Sequence, residues 1–131
     1  MTTIREAACA CGQLRARCEG EPGRISVCHC LACQRRSGSA FAAQARFPID
    51  KVTVTGKSNQ WIRIADSGGR GVFSFCPECG STLHYVLDKF PDVIAIPIGA
   101  FADPTFPPPK FSVWESRKHP WVEITADVEH M

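Results

Sequence analysis

Apolar and polar residues alternate with a period of two through most of this chain, in short runs broken by glycine, proline and aspartate. Gln13-Leu14-Arg15-Ala16-Arg17-Cys18 reads as a half-buried strand whose apolar face carries Leu14, Ala16 and Cys18. Ile25-Ser26-Val27 is a second strand, Phe41–Phe47 a third ending at Pro48, and Lys51–Thr55 a fourth ending at Gly56. Gln60–Ala65 and Gly71–Phe75 flank Ser67-Gly68-Gly69, the pattern of a hairpin, and Thr82–Leu87 and Val93–Ile98 follow. Pro97 lacks a ladder donor, which places its strand at an edge or a bulge. No stretch sustains a 3.6-residue period; Gln34–Ser39 reads as one helical turn ending at Gly38. The pattern predicts an all-β fold of packed antiparallel sheets.

Past Asp103 the character changes. Asp103–Pro109 reads as an extended crossing, and Phe111, Val113, Trp114, Trp121 and Ile124 supply apolar surface expected in the core or in a pocket wall, with packing the expected role of both tryptophans.

The 131 residues are read as one domain, 1–131, long enough to bury about two-thirds of the unfolded surface. Fifteen basic and 13 acidic residues leave a net charge of +2 spread along the chain, too even for a nucleic-acid footprint. No apolar run reaches membrane-span length, and Met1–Glu6 lack the apolar region of a signal peptide, so a cytoplasmic location without membrane partners is expected.

In a reducing compartment eight cysteines need another explanation than disulfides. Seven fall into three close groups, Cys9/Cys11, Cys28/Cys30/Cys33 and Cys76/Cys79, as clustered metal ligands do, and zinc is the economical ion. Cys76-Pro77-Glu78-Cys79-Gly80 has the form of a zinc knuckle: Pro77 stiffens the turn and Gly80 lets backbone amides approach the sulfurs. Joined to Cys9 and Cys11 it completes a closed four-cysteine structural site that staples the start of the chain to its middle. In Cys28-His29-Cys30-Leu31-Ala32-Cys33, extended backbone puts Cys28 and Cys30 on one side and His29 on the other, and a turn through Leu31 and Ala32 returns Cys33. Three sulfurs leave a fourth position for an outside molecule, the pattern of a catalytic ion.

Arg35 and Arg36 follow within reach of that position and suit a carboxylate-bearing ligand, unless they are a solvated surface pair. Cys18 is open to two roles, fourth ligand or core packing, and its apolar face favours packing. His29 is placed to orient the cluster from behind. His84, His119 and His130 stand alone and receive no role.

In combination, Cys9-x-Cys11-Gly12, Cys28-His29-Cys30-x-x-Cys33 with Arg36-Ser37-Gly38-Ser39-Ala40-Phe41, Phe75-Cys76-x-x-Cys79-Gly80 and Pro120-Trp121 resemble the glutathione-dependent formaldehyde-activating enzyme family, also called the GFA or CENP-V family, over nearly the whole chain. The resemblance implies a β-tent fold and two Zn2+ ions, one structural on Cys9, Cys11, Cys76 and Cys79 and one catalytic on Cys28, Cys30 and Cys33. It further implies a carbon–sulfur lyase whose partner is a small thiol such as glutathione and whose product from formaldehyde is S-hydroxymethylglutathione. Cys18 lies outside the family's ligand motif. The competing class is a non-enzymatic zinc module that binds a partner or stores or senses zinc; a fourth protein ligand at the second site would favour it.

Overall fold

The computed structural model describes residues 2–131, whose strands assemble into two sheets. β1 (Ile4–Ala8), β2 (Arg15–Glu19) and β5 (Val52–Thr55) make a three-stranded antiparallel sheet in the order β1-β2-β5. The larger sheet contains β3 (Arg24–Cys28), β4 (Ala42–Pro48), β6 (Asn59–Ile64), β7 (Arg70–Phe75), β8 (Thr82–Leu87), β9 (Val93–Pro97), β10 (Phe111–Val113) and β11 (Glu129–His130). Its order is β11-β10-β3-β4-β9-β8-β7-β6. One helix, α1 (Leu31–Ser37), leaves the end of β3. The all-β architecture expected from the period-two pattern is present, and no helix among the described residues is long and apolar enough to cross a membrane.

Alternation decides what each face does. Ala7, Leu14, Ala16 and Cys18 of the small sheet and its turn pack against Ile25, Ala45, Phe47, Ile94 and Ile96 of the large one. Phe101 stacks on Phe106 at 4.6 Å and closes this core from the side. Full burial of a side chain such as Phe47 or Leu14 contributes about 1.5–3 kcal/mol. Residues of opposite parity, among them Arg24, Ser26 and Cys28 on β3 and Gln44 and Arg46 on β4, turn to the other face of the large sheet, where they line a cavity.

Several expectations change on folding. The large sheet is not wholly antiparallel: β10 runs parallel to β3, and β11 parallel to β10. β1, β10 and β11 were not expected from the pattern; β1 has one β-branched residue, Ile4, and the other two are only three and two residues long. β9 lies inside the sheet between β4 and β8, not at an edge, although it carries Pro97. Pro97 is the last residue of the strand, opposite Gln44 of β4, and leads into a 3-10 turn (Ile98–Phe101), while the β8 pairing is registered at Tyr85↔Ala95, so the missing N–H falls where the ladder ends. The helix begins at Leu31 rather than Gln34, because Cys30 caps it; its end at Gly38, left-handed at φ 71°, is as expected. Trp114 and Trp121 do not pack in the core: they are 62% and 74% exposed. The role left to Trp114 is a cavity wall.

Candidate functional site

The first cysteine group is built by two turns from different sheets. The β1–β2 turn carries Cys9 and Cys11, and the β7–β8 turn carries Cys76 and Cys79, with Gly80 in the left-handed region (φ 80°) so that its N–H reaches the Cys76 carbonyl at 2.8 Å. Cys9 and Cys11 sulfurs lie 3.6 Å apart and Cys11 and Cys76 sulfurs 3.7 Å, and all four Sγ atoms fall within 4.8 Å of one another. A tetrahedral ion with Zn–S bonds of about 2.3 Å would hold its sulfurs about 3.8 Å apart. The four thiols therefore fit a closed metal site, and they are free of disulfide bonds.

Donors surround this site. The Leu14 N–H points to Cys9 Sγ at 3.3 Å and the Glu78 N–H to Cys76 Sγ at 3.3 Å. Gln13 Nε2 donates to Cys76 Sγ at 2.9 Å. Burial opposes ionisation of Cys76, but these donors outweigh it and hold the thiol below its usual range. Ser81, 3.5 Å from Cys79 Sγ, together with backbone donors brings Cys79 down to about 5. Cys76 and Cys79 are thus poised toward the thiolate, the form a metal takes, whereas Cys11, despite a hydrogen bond from the Gln13 N–H, is pushed up to about 11 by burial and by the thiols around it.

The second group sits where β3 gives way to α1. Cys28 ends the strand, Cys30 (φ −61°, ψ 150°) caps the helix by accepting the Cys33 N–H at 3.3 Å, and Cys33 lies in the first turn. Their Sγ atoms fall within 4.8 Å of one another, and among the described residues no fourth Cys, His or carboxylate joins them. The donor set suits a soft ion that binds three thiolates. The neighbouring Cys28 thiol brings Cys33 down to about 6, aided by Cys30 and by the guanidinium of Arg36, while the closeness of Cys33 together with burial pushes Cys28 up.

The scaffold behind this group is polar and buried. His29 turns away from the sulfurs, is fully buried, and meets Ser112 Oγ at 2.9 Å through Nε2; burial holds its imidazole below the usual range. Gln34 Nε2 donates to the carbonyls of His29 (2.8 Å) and Arg117 (3.2 Å), and Gln34 Oε1 accepts from His119 Nε2 at 2.8 Å. The peptide between Cys28 and Cys30 is thus held from both sides.

Cys28 and Cys33 open onto a cavity of about 230 Å³. Arg36 lies in its wall with the guanidinium 5.2 Å from the ring centres of both Phe73 and Tyr85. Arg24, Arg46, Arg63 and Trp114 complete much of the lining. Cys30 faces a neighbouring space of about 520 Å³ that shares Ala32, Arg63 and Trp114 with the first. Arg35 is exposed and lines neither space. Cys18, fully buried, belongs to the core and to neither thiol group.

Sequence reasoning missed Gln13, Gln34, Ser112 and the cavity residues Arg24, Arg46, Arg63 and Tyr85. The period-two signal could have found part of the set, since Arg24, Ser26 and Cys28 share a parity in one strand.

No curated protein matches the chain by sequence. A solved structure of a Rhodobacter sphaeroides protein is 19% identical, with a TM-score of 0.54 over 79% of this chain and 91% of that one; at that identity it shares the fold. The sequence profile described as glutathione-dependent formaldehyde-activating enzyme matches residues 4–117, a span that contains both thiol groups and Arg36. The chain belongs to the glutathione-dependent formaldehyde-activating enzyme family.

Proposed function

We propose that this chain is a zinc-dependent carbon–sulfur lyase acting on a thiol–aldehyde adduct, the family reaction being formation of S-hydroxymethylglutathione from glutathione and formaldehyde. The observation that carries the reading is the Cys28/Cys30/Cys33 trio, which lacks a fourth protein partner among the described residues and opens onto a cavity with a cationic wall. In this reading Cys9, Cys11, Cys76 and Cys79 hold a structural ion, and Cys28, Cys30 and Cys33 a catalytic one. Bound there, zinc supplies a Lewis-acidic position that favours the thiolate form of a thiol substrate at neutral pH.

The chain's own residues do the rest. Arg36, held over two aromatic rings, offsets the negative charge of the thiolate trio and presents a fork to a substrate carboxylate. Burial pushes the Tyr85 phenol well above its ordinary range, so it stays protonated and is a neutral donor for a substrate oxygen. His29, Gln34 and Ser112 hold the cysteine-bearing backbone in place. In the addition, the thiol sulfur bonds to the carbonyl carbon, the C=O π bond breaks, and the thiol proton ends on oxygen; the lyase direction reverses each change.

The test pairs metal analysis with exchange kinetics between glutathione and formaldehyde, because the reaction also runs uncatalysed. The expected result is two zinc ions per chain and exchange faster than the background, with Cys30→Ser keeping the fold, one zinc and only the background rate. Exchange at the background rate in the parent protein, with glutathione and with smaller anionic thiols alike, would leave a non-enzymatic zinc module; two ions retained in Cys30→Ser would overturn the assignment of the second site.

A further inference from the structure

The cavity beside Cys28 and Cys33 carries Arg24, Arg36, Arg46 and Arg63 and no aspartate or glutamate. Among the described residues the ion pairs join Arg5 to Glu21, Arg15 to Glu6, Arg17 to Glu19 and His130 to Glu115, so none of the four cavity arginines has a carboxylate partner. Arg24 and Arg46 are moreover direct partners in the β3–β4 register, on the same face of the sheet. Like charges in that position destabilise a strand pair. Each leans on an aromatic ring instead, Arg24 at 4.0 Å from the centre of Phe111 and Arg46 at 5.0 Å from that of Phe90, which aims the pair without neutralising it. Arg24 Nε is buried with no hydrogen-bond partner, and so is Gln44 Oε1 in the same lining.

We infer that the substrate thiol carries about two negative charges, as a pair of carboxylates or one phosphate, on the end that enters this cavity, and no cation there. Arg24, Arg46 and Arg63 are specificity-determining residues that select it. The inference rests on the lyase reading for the thiol and on the arginine geometry for the charge. Concentrated positive charge in a walled cavity focuses the field and is repelled by a like-charged ligand. Guanidinium forks match carboxylate and phosphate oxygens in pairs. The ammonium of glutathione finds no carboxylate in this lining, so the cavity prefers a thiol more anionic at its buried end. The orphaned Gln44 Oε1 is a neutral acceptor for a hydroxyl or amide hydrogen on the same ligand.

Calorimetry on the zinc-loaded protein separates the parts, with mercaptosuccinate, 2-mercaptoethyl phosphate, thioglycerol and cysteamine as dicarboxylate, phosphate, neutral and cationic thiols, and succinate as the anion without sulfur. The expected result is that one of the two anionic thiols binds about tenfold or more tightly than thioglycerol, and cysteamine most weakly. Which anionic thiol binds tighter identifies the anion. Arg46→Gln and Arg63→Gln should each weaken the anionic thiol about tenfold while leaving thioglycerol unchanged, with circular dichroism confirming the fold. Arg63 sits on the edge strand β6 and serves as the test if Arg46→Gln fails to fold. Thioglycerol or cysteamine binding as tightly as the anionic thiols, or unaltered affinity in a folded arginine variant, overturns the inference. Succinate binding as tightly as mercaptosuccinate supports the anion cavity and defeats the thiol reading instead.

Discussion

The side-chain amide of Gln13 lies 2.9 Å from the sulfur of Cys76, joining two residues 63 positions apart. The same side chain donates to the Lys57 carbonyl at 2.7 Å and accepts the Lys57 N–H at 2.9 Å. It therefore ties the β1–β2 turn, the β5–β6 turn and the first thiol group into one unit. Replacing it by leucine strips a charge-assisted donor from the thiolate and leaves the exposed Lys57 backbone groups to water. Gln13→Leu should cost about 1.5–3 kcal/mol of stability and lower metal affinity at the first site about 10–100-fold. Thermal melting and competition with a chromogenic chelator check both.

Loss of the first site should be far more damaging than loss of the second. The first group connects the two sheets across the core, whereas the second lies at the end of one strand. Cys76→Ser should yield unfolded or insoluble protein, since a four-thiolate site contributes on the order of 10 kcal/mol to folding. A soluble variant with the parent's melting temperature would contradict the staple.

Gly56 turns the chain between β5 and β6 with φ 103°, and a Cβ there would stand 2.1 Å from the Gln13 carbonyl oxygen. The atoms it meets, the Gln13 carbonyl and the Leu14 Cα at 2.9 Å, are backbone rather than the end of a flexible side chain, and the Gln13 side chain clasps Lys57 next to the turn, so little can move aside. Gly56→Ala should destabilise by about 3 kcal/mol or more, read as a shifted denaturant midpoint. A shift as small as that of an exposed-strand substitution would mean that this turn is looser than its geometry.

Arg36 and Arg35 are adjacent in sequence but not in role. Only Arg36 enters the cavity wall, beside Cys33, and Arg35 faces solvent. Arg36→Ala should weaken glutathione binding to the zinc-loaded protein about tenfold or more, with Arg35→Ala unchanged within error. Equal losses in both variants, measured by calorimetry, would assign the effect to overall charge.

Burial lowers the pKa of His84 below its ordinary 6.5, and its Nδ1 is buried without a partner. The imidazole is neutral in the folded protein where the unfolded chain is already protonated. Stability is thus unaffected well above pH 6.5 and falls as pH drops through the unfolded value toward the folded one. His84→Leu should flatten that decline in part; His29 shifts the same way, and the depressed thiols of Cys33 and Cys79 also lose stabilisation as the pH falls. Parallel melting curves for parent and variant from pH 7.5 to 5.5 would contradict the burial effect.

The spacing of the cysteines, the period-two alternation and the glycine and proline breaks determined, without coordinates, the all-β class, most strand positions, the grouping of seven thiols and the packing of Cys18. These are local properties: ligand spacing is set within a turn, and alternation within a strand. Folding alone decided that Pro97 would end an interior strand, that β10 would dock in parallel beside β3, and that Trp114 would wall a cavity. It also decided that Arg24 and Arg46 would face each other and that Gln13 would reach Cys76. Register, sheet order and pocket charge arise from pairing between distant segments, and such pairing leaves no mark on the residues near either partner.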